Sequence, residues 1–175
     1  MKYGKWIAAG VFIATLFLMQ NYSVLLQAYG VARTLDMSFG YTSEKVYSMF
    51  RQLGSVGIQI LTQYFLVDFI FIACFVSVQL LIPHWILGAK LIKTKLMLLN
   101  VIPYARGIFD FAENAFFLYL IHKMPEVIKE IVPVMSFITQ MKFILIGIWL
   151  ALLAIVSIAR TVAVNRKSKE TKTDR

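Results

Sequence analysis

Five ionisable residues stand in stretches that otherwise carry almost no charge: Asp68, Arg106, Asp110, Glu113 and Lys142. On insertion scales, a charge at the centre of a membrane helix costs about 2.5–3.5 kcal/mol, so such residues usually turn inward and pair. Three carboxyls and two cations offer three kinds of chemistry. Paired with one another, they form a polar network that fixes helix order and register. Set along a hydrated cavity, they carry a proton, an ion or a polar solute. Held in unlike surroundings, two carboxyls divide acid and base roles on a lipid-like substrate. The structural, helix-registering network is the favoured reading, because polar contacts inside membranes average only about 0.6 kcal/mol and serve specificity. Small-solute transport is the first alternative and an intramembrane acid–base enzyme the second. No nucleophile or metal motif accompanies the acids, and no catalytic residue is assigned.

The spacing of these residues sharpens the expectation. At 3.6 residues per turn, Arg106, Asp110, Glu113, Asn114 and Phe117 share one side of a helix. Gly57, Tyr64, Asp68, Phe75 and Gln79 form a stripe on a second helix, and Lys142, Trp149, Leu153 and Arg160 on another. The rise of about 1.5 Å per residue gathers the charges into a belt. Arg106 is expected to pair with Asp110 at i,i+4 and to approach Asp68, Lys142 to meet Glu113, and Asn114 to complete the network. Three carboxylates against two cations leave one negative charge in low dielectric. One acid, Asp68 or Asp110, is therefore expected to hold a proton.

The remaining reactive residues add little. Cys74 is the only cysteine, which excludes an internal disulfide, and it reads as apolar filler. His84 and His122 fall near opposite ends of the spans, so no metal site is expected. No phosphate-binding loop, dinucleotide fingerprint or zinc-protease helix occurs, and no cofactor is expected. Pro103, inside an apolar stretch, can kink the helix and expose a backbone carbonyl near Asn100, although a tolerated packing kink is the favoured reading.

The elements that must position these side chains follow from composition. Of 175 residues, 59% are hydrophobic and 15% charged, where a soluble domain carries about 25% charge. That argues against a soluble enzyme, a nucleic-acid module or a disordered chain. Four stretches, at about 6–22, 56–82, 96–121 and 143–159, meet the roughly 20 apolar residues that a bilayer crossing needs, and the last helix is expected to start near Val132. Period-2 alternation is absent, which disfavours a barrel. The expected fold is an all-α bundle of four transmembrane helices in one domain over 1–165, with a basic cytoplasmic tail over 166–175. The first stretch resembles a signal peptide, but its distance from Gly30 favours a retained anchor.

Lysine and arginine placement orients the chain. Eleven lie at the N-terminus, in the link between the second and third spans (Lys90, Lys93, Lys95), or from Arg160 onward; five lie on the other side, at Arg33, Lys45, Arg51, Lys123 and Lys129. Both termini are thus expected in the cytoplasm. The net charge of +9 reflects membrane edges, not nucleic acid. The lipid bilayer is the expected partner, with anionic lipid at the basic tail gaining about 1 kcal/mol per residue. In the long connection, Thr42 can cap a helix with Glu44 in its first turn; Val46, Phe50 and Leu53 share one face and Gly54 ends it. A short amphipathic helix on the outer side is expected there.

Leu35-Asp36-x-x-Phe39-Gly40-Tyr41-Thr42-x-Glu44-x-Val46-Tyr47, followed by Leu53-Gly54, Tyr64-x-x-x-Asp68 and Asp110-x-x-Glu113-Asn114, resembles a family of small bacterial four-span membrane proteins. Lys45 stands where that family's pattern has an acid. The resemblance covers about residues 35–120 and implies a four-span architecture in a bacterial cytoplasmic membrane. It implies no activity.

Overall fold

The computed structural model describes the backbone of residues 4–87 and 97–173, and the side chains of residues 9–87 and 97–163. The lysines of the 88–96 link, Lys2, Lys5 and the side chains of the basic tail lie outside the described residues. Those described form four helices and no strand: α1 (Gly4–Gln27), α2 (Ser43–Leu87), α3 (Leu98–Lys123) and α4 (Val132–Thr173). A short 3-10 turn, Leu35–Met37, interrupts the connection between α1 and α2. Helix α4 runs on without a break past residue 165, where the sequence suggests a tail begins.

Three helices, α1, α2 and α4, are long and apolar enough to cross a membrane. α1 carries no charged residue between Trp6 and its end. Its Phe12 stacks on Phe71 and Phe75 of α2, with ring centroids 5.4 and 5.7 Å away. Its other faces expose Ile13, Phe17 and Val24. α3 differs in burying a polar side: Arg106, Asp110, Glu113 and Asn114 are buried, while Leu98, Tyr104, Ile108 and Phe111 are exposed.

Helix α2 is two arms. Gly54 has φ 60° and ψ −169°, a positive-φ conformation that side-chain-bearing residues rarely adopt, and it breaks the helix after Leu53. The first arm buries Val46, Tyr47, Met49, Phe50 and Leu53, and leaves Ser48, Arg51 and Gln52 exposed. Tyr47 pins this arm to the α3–α4 connection: its Oη donates to the Ile128 carbonyl (3.1 Å) and accepts from the Ile128 amide (2.7 Å). The long arm packs tightly on α3. A Cβ added at Gly107 would lie 2.7 Å from Val76 Cγ2, so a larger residue there would have to displace the Val76 side chain.

Pro103 has a specific consequence for packing. Proline lacks the amide that would bond the carbonyl four residues earlier, which frees the Leu99 carbonyl. Trp149 of α4 fills the vacancy, its Nε1 donating to Leu99 O at 3.0 Å. The freed carbonyl is that of Leu99, next to Asn100. Around this bond sits a small apolar cluster of Leu87, Leu99, Ile102 and Trp149. A larger cluster occupies the other end of the bundle, where Phe65 stacks on Phe117 at 4.9 Å and Leu61, Leu120 and Met135 are fully buried. The charged residues lie between these two clusters.

Candidate functional site

Asp68, Arg106, Asp110, Glu113, Asn114 and Lys142 are all buried, and the structure brings them into one layer. Most of the layer is a zigzag between α3 and α4. Arg106 Nη1 donates to Asp110 Oδ2 at 2.7 Å, one helical turn along α3. Lys142 of α4 bridges two carboxyls of α3, lying 3.1 Å from Asp110 Oδ1 and 2.5 Å from Glu113 Oε2. All three contacts join a cation to a carboxylate, the kind of hydrogen bond that charge strengthens. The second oxygen of Glu113, a residue with no exposed surface, accepts from the Thr139 hydroxyl. Tyr41 Oη stands 3.1 Å from Thr139 Oγ1 and 3.4 Å from Glu113 Oε1.

Tyr41 reaches this position because the 28–42 connection folds onto α4, where the Tyr41 amide donates to Ser136 Oγ at 2.9 Å. Burial, reinforced by the Glu113 carboxylate, pushes the Tyr41 phenol well above its usual range, so it stays a hydroxyl.

Asp68 belongs to a different part of the layer. Its Oδ2 accepts from Asn114 Nδ2 at 2.7 Å, which joins α2 to α3. No ion pair joins Asp68 to Arg106 among the described residues. The reason is axial: Arg106 lies eight residues from Asn114, about 12 Å along α3. Arg106 instead stacks its guanidinium over Phe75, 4.3 Å from the ring centroid.

Three residues of the layer escape the sequence stripes. Asp36, from the 3-10 turn, is only 3% exposed and accepts from Tyr64 Oη at 2.9 Å through Oδ2. Tyr41 and Thr139 complete the surroundings of Glu113. Periodicity could not point to Asp36 or Tyr41, because both lie in an irregular connection. The Leu35-Asp36 and Tyr41-Thr42 motif was the one sequence signal that marked them.

Beside the layer lies a cavity of about 370 Å³. Its polar wall holds Asp36, Tyr64, Asp68, Arg106, Asp110 and Lys142, and its apolar wall Leu16, Met19, Phe71, Phe75, Phe143 and Ile146. Exposed Leu16, Gln20, Arg33 and Met37 form its rim. Helix α1 packs on α2, α2 on α3 and α3 on α4, whereas α1 and α4 barely meet. The cavity therefore sits in the gap between the first and last helices. Several buried polar atoms have no hydrogen-bond partner: Asp36 Oδ1, Asn114 Oδ1, and Nε and Nη2 of Arg106, with both amide atoms of Gln79 and Asn100 Oδ1 closer to the Trp149 end. The chain matches no protein-family model, no curated protein and no solved structure.

Proposed function

We propose that this chain is a four-span membrane protein that admits the polar head of an amphiphilic molecule sideways, from the bilayer, into the cavity between α1 and α4. The carrying observation is a cavity with charges on one wall and hydrocarbon on the other, placed where two neighbouring helices do not close on each other. Sites of this size commonly take small molecules. A lipid-like molecule matches both walls.

The span count rests on α3. Its 26 residues cover roughly 39 Å at 1.5 Å per residue, enough for a bilayer. Its charges point into the bundle and are paired, and its outward face is apolar. Four spans put both ends on one side, and the excess of lysine and arginine makes that side the cytoplasm. The first arm of α2 then covers the outer end of the bundle as an amphipathic helix. The resemblance noted above supports a bacterial cytoplasmic membrane as its location.

The polar layer divides the work. Arg106, Asp110, Lys142, Glu113 and Thr139 bond to one another and hold α3 and α4 in register, leaving Nε and Nη2 of Arg106 without a partner. Asp36, Tyr64 and Asp68 face the cavity, neither carboxyl is held in an ion pair among the described residues, and they are the ligand-facing part.

The test is photo-crosslinking. The full chain is reconstituted with a photoactivatable amphiphile of C16 chain length, and labelled residues are mapped by mass spectrometry. Tyr64 and Phe71 should be labelled. A Ser23→Trp substitution, on the α1 wall of the cavity, should reduce that label several-fold and leave label at outward-facing Ile148 unchanged. Cavity walls that stay unlabelled, or label that ignores the tryptophan, refute the proposal.

A further inference from the structure

We infer that the head taken into this cavity carries an ammonium group. The inference rests on the lateral-cavity reading and adds the ligand's charge. Among the described residues four carboxyls are buried, Asp36, Asp68, Asp110 and Glu113, against two cations, Arg106 and Lys142. Both cations are engaged by Asp110 and Glu113. Asp36 and Asp68 are left with neutral donors, the Tyr64 hydroxyl and the Asn114 amide. Both line the cavity, and Tyr64 lies one helical turn from Asp68.

Asp36 supplies the second observation. It is 3% exposed, it is part of the cavity wall, and its Oδ1 has no donor. A buried carboxylate oxygen without a donor is costly. A positively charged N–H group supplies the hydrogen bond and cancels the surplus charge together. Tyr64 and Phe71 also line the cavity, where aromatic side chains suit a cation, and Leu16, Met19 and Ile146 suit an alkyl chain. Arg106 also has free N–H groups, but its guanidinium is already held by Asp110 and Phe75. An anionic head would meet Asp36 and Asp68, two carboxyls that no cation holds in an ion pair among the described residues. Arg33 at the rim fits a phosphate beside the ammonium, so the group can arrive on a simple alkylamine or on phosphatidylethanolamine.

The experiment compares two photoactivatable C16 probes that differ only in the head, ammonium or hydroxyl, using the full chain in phosphatidylglycerol vesicles. The ammonium probe should label the cavity about tenfold more than the hydroxyl probe, the size of one charge-assisted hydrogen bond. In the Asp36→Asn/Asp68→Asn double variant that preference should vanish, while the hydroxyl probe still labels and so reports an intact cavity. Asp68→Glu, which keeps the charge, should retain the preference. Hexadecylamine and phosphatidylethanolamine are then offered as competitors, and the one that displaces the probe identifies the source. Equal labelling by both probes in the unaltered chain, a preference that survives the double variant, or no displacement by either competitor overturns the ammonium inference and leaves the cavity standing. No cavity labelling by either probe overturns both.

Discussion

Replacing Lys142 with methionine should show how much the polar layer contributes. Among the described residues the ammonium is the only cation on Glu113 and the second on Asp110. Methionine keeps most of the volume and removes the charge. Asp110 retains Arg106 at 2.7 Å. Glu113, with no exposed surface, keeps only the Thr139 and Tyr41 hydroxyls. Removing one partner of a buried ion pair typically costs about 3–5 kcal/mol, because the other charge stays buried and uncompensated. An ordinary polar contact between membrane helices averages about 0.6 kcal/mol. The two cases differ by at least a factor of about 50 in the folding equilibrium, at 1.4 kcal/mol per factor of ten. The measurement is reversible unfolding in mixed micelles, for Lys142→Met, Glu113→Gln and the double variant. Lys142→Met should lose about 3 kcal/mol or more. The double variant should recover much of that loss, because the neutral amide that replaces the Glu113 carboxylate needs no cation and can still bond Thr139. A single-variant loss near 0.6 kcal/mol, or no recovery in the double, would refute the view that Lys142 acts by neutralising Glu113.

Trp149→Phe should cost about 1 kcal/mol by leaving the Leu99 carbonyl without a donor, and Pro103→Ala should relieve that loss by restoring an amide to the same carbonyl. A double-mutant cycle in the same unfolding assay should then show clear coupling between the two sites, and additive effects would count against the bond. Glu44 offers a pH test at the exposed start of α2. Bonding to its own backbone amide, then to Thr42, holds its carboxyl below the usual glutamate range. The folded-state value is depressed, so this stabilisation is present above the ordinary glutamate pKa and lost as pH falls through the lowered one. Titrating the Glu44 carboxyl carbon by NMR checks the direction, and Thr42→Ala should move its midpoint upward.

The sequence alone determined what depends on local regularity. Helical period placed Arg106, Asp110, Glu113 and Asn114 on one side of α3, because residues three and four apart share a face in any α-helix. Composition made the helices, and the special backbone of glycine at residue 54 and proline at residue 103 marked the break in α2 and the freed carbonyl in α3. Tertiary structure decided everything that depends on how one helix is rotated and shifted against another. It gave Asp68 to Asn114 instead of Arg106, and it set Lys142 between two carboxyls rather than on one. It carried Asp36 and Tyr41 from an irregular connection into the layer, a path that no periodicity encodes. The cavity is likewise a property of packing alone, since it exists only because α1 and α4 each pack on another neighbour and leave a gap between themselves.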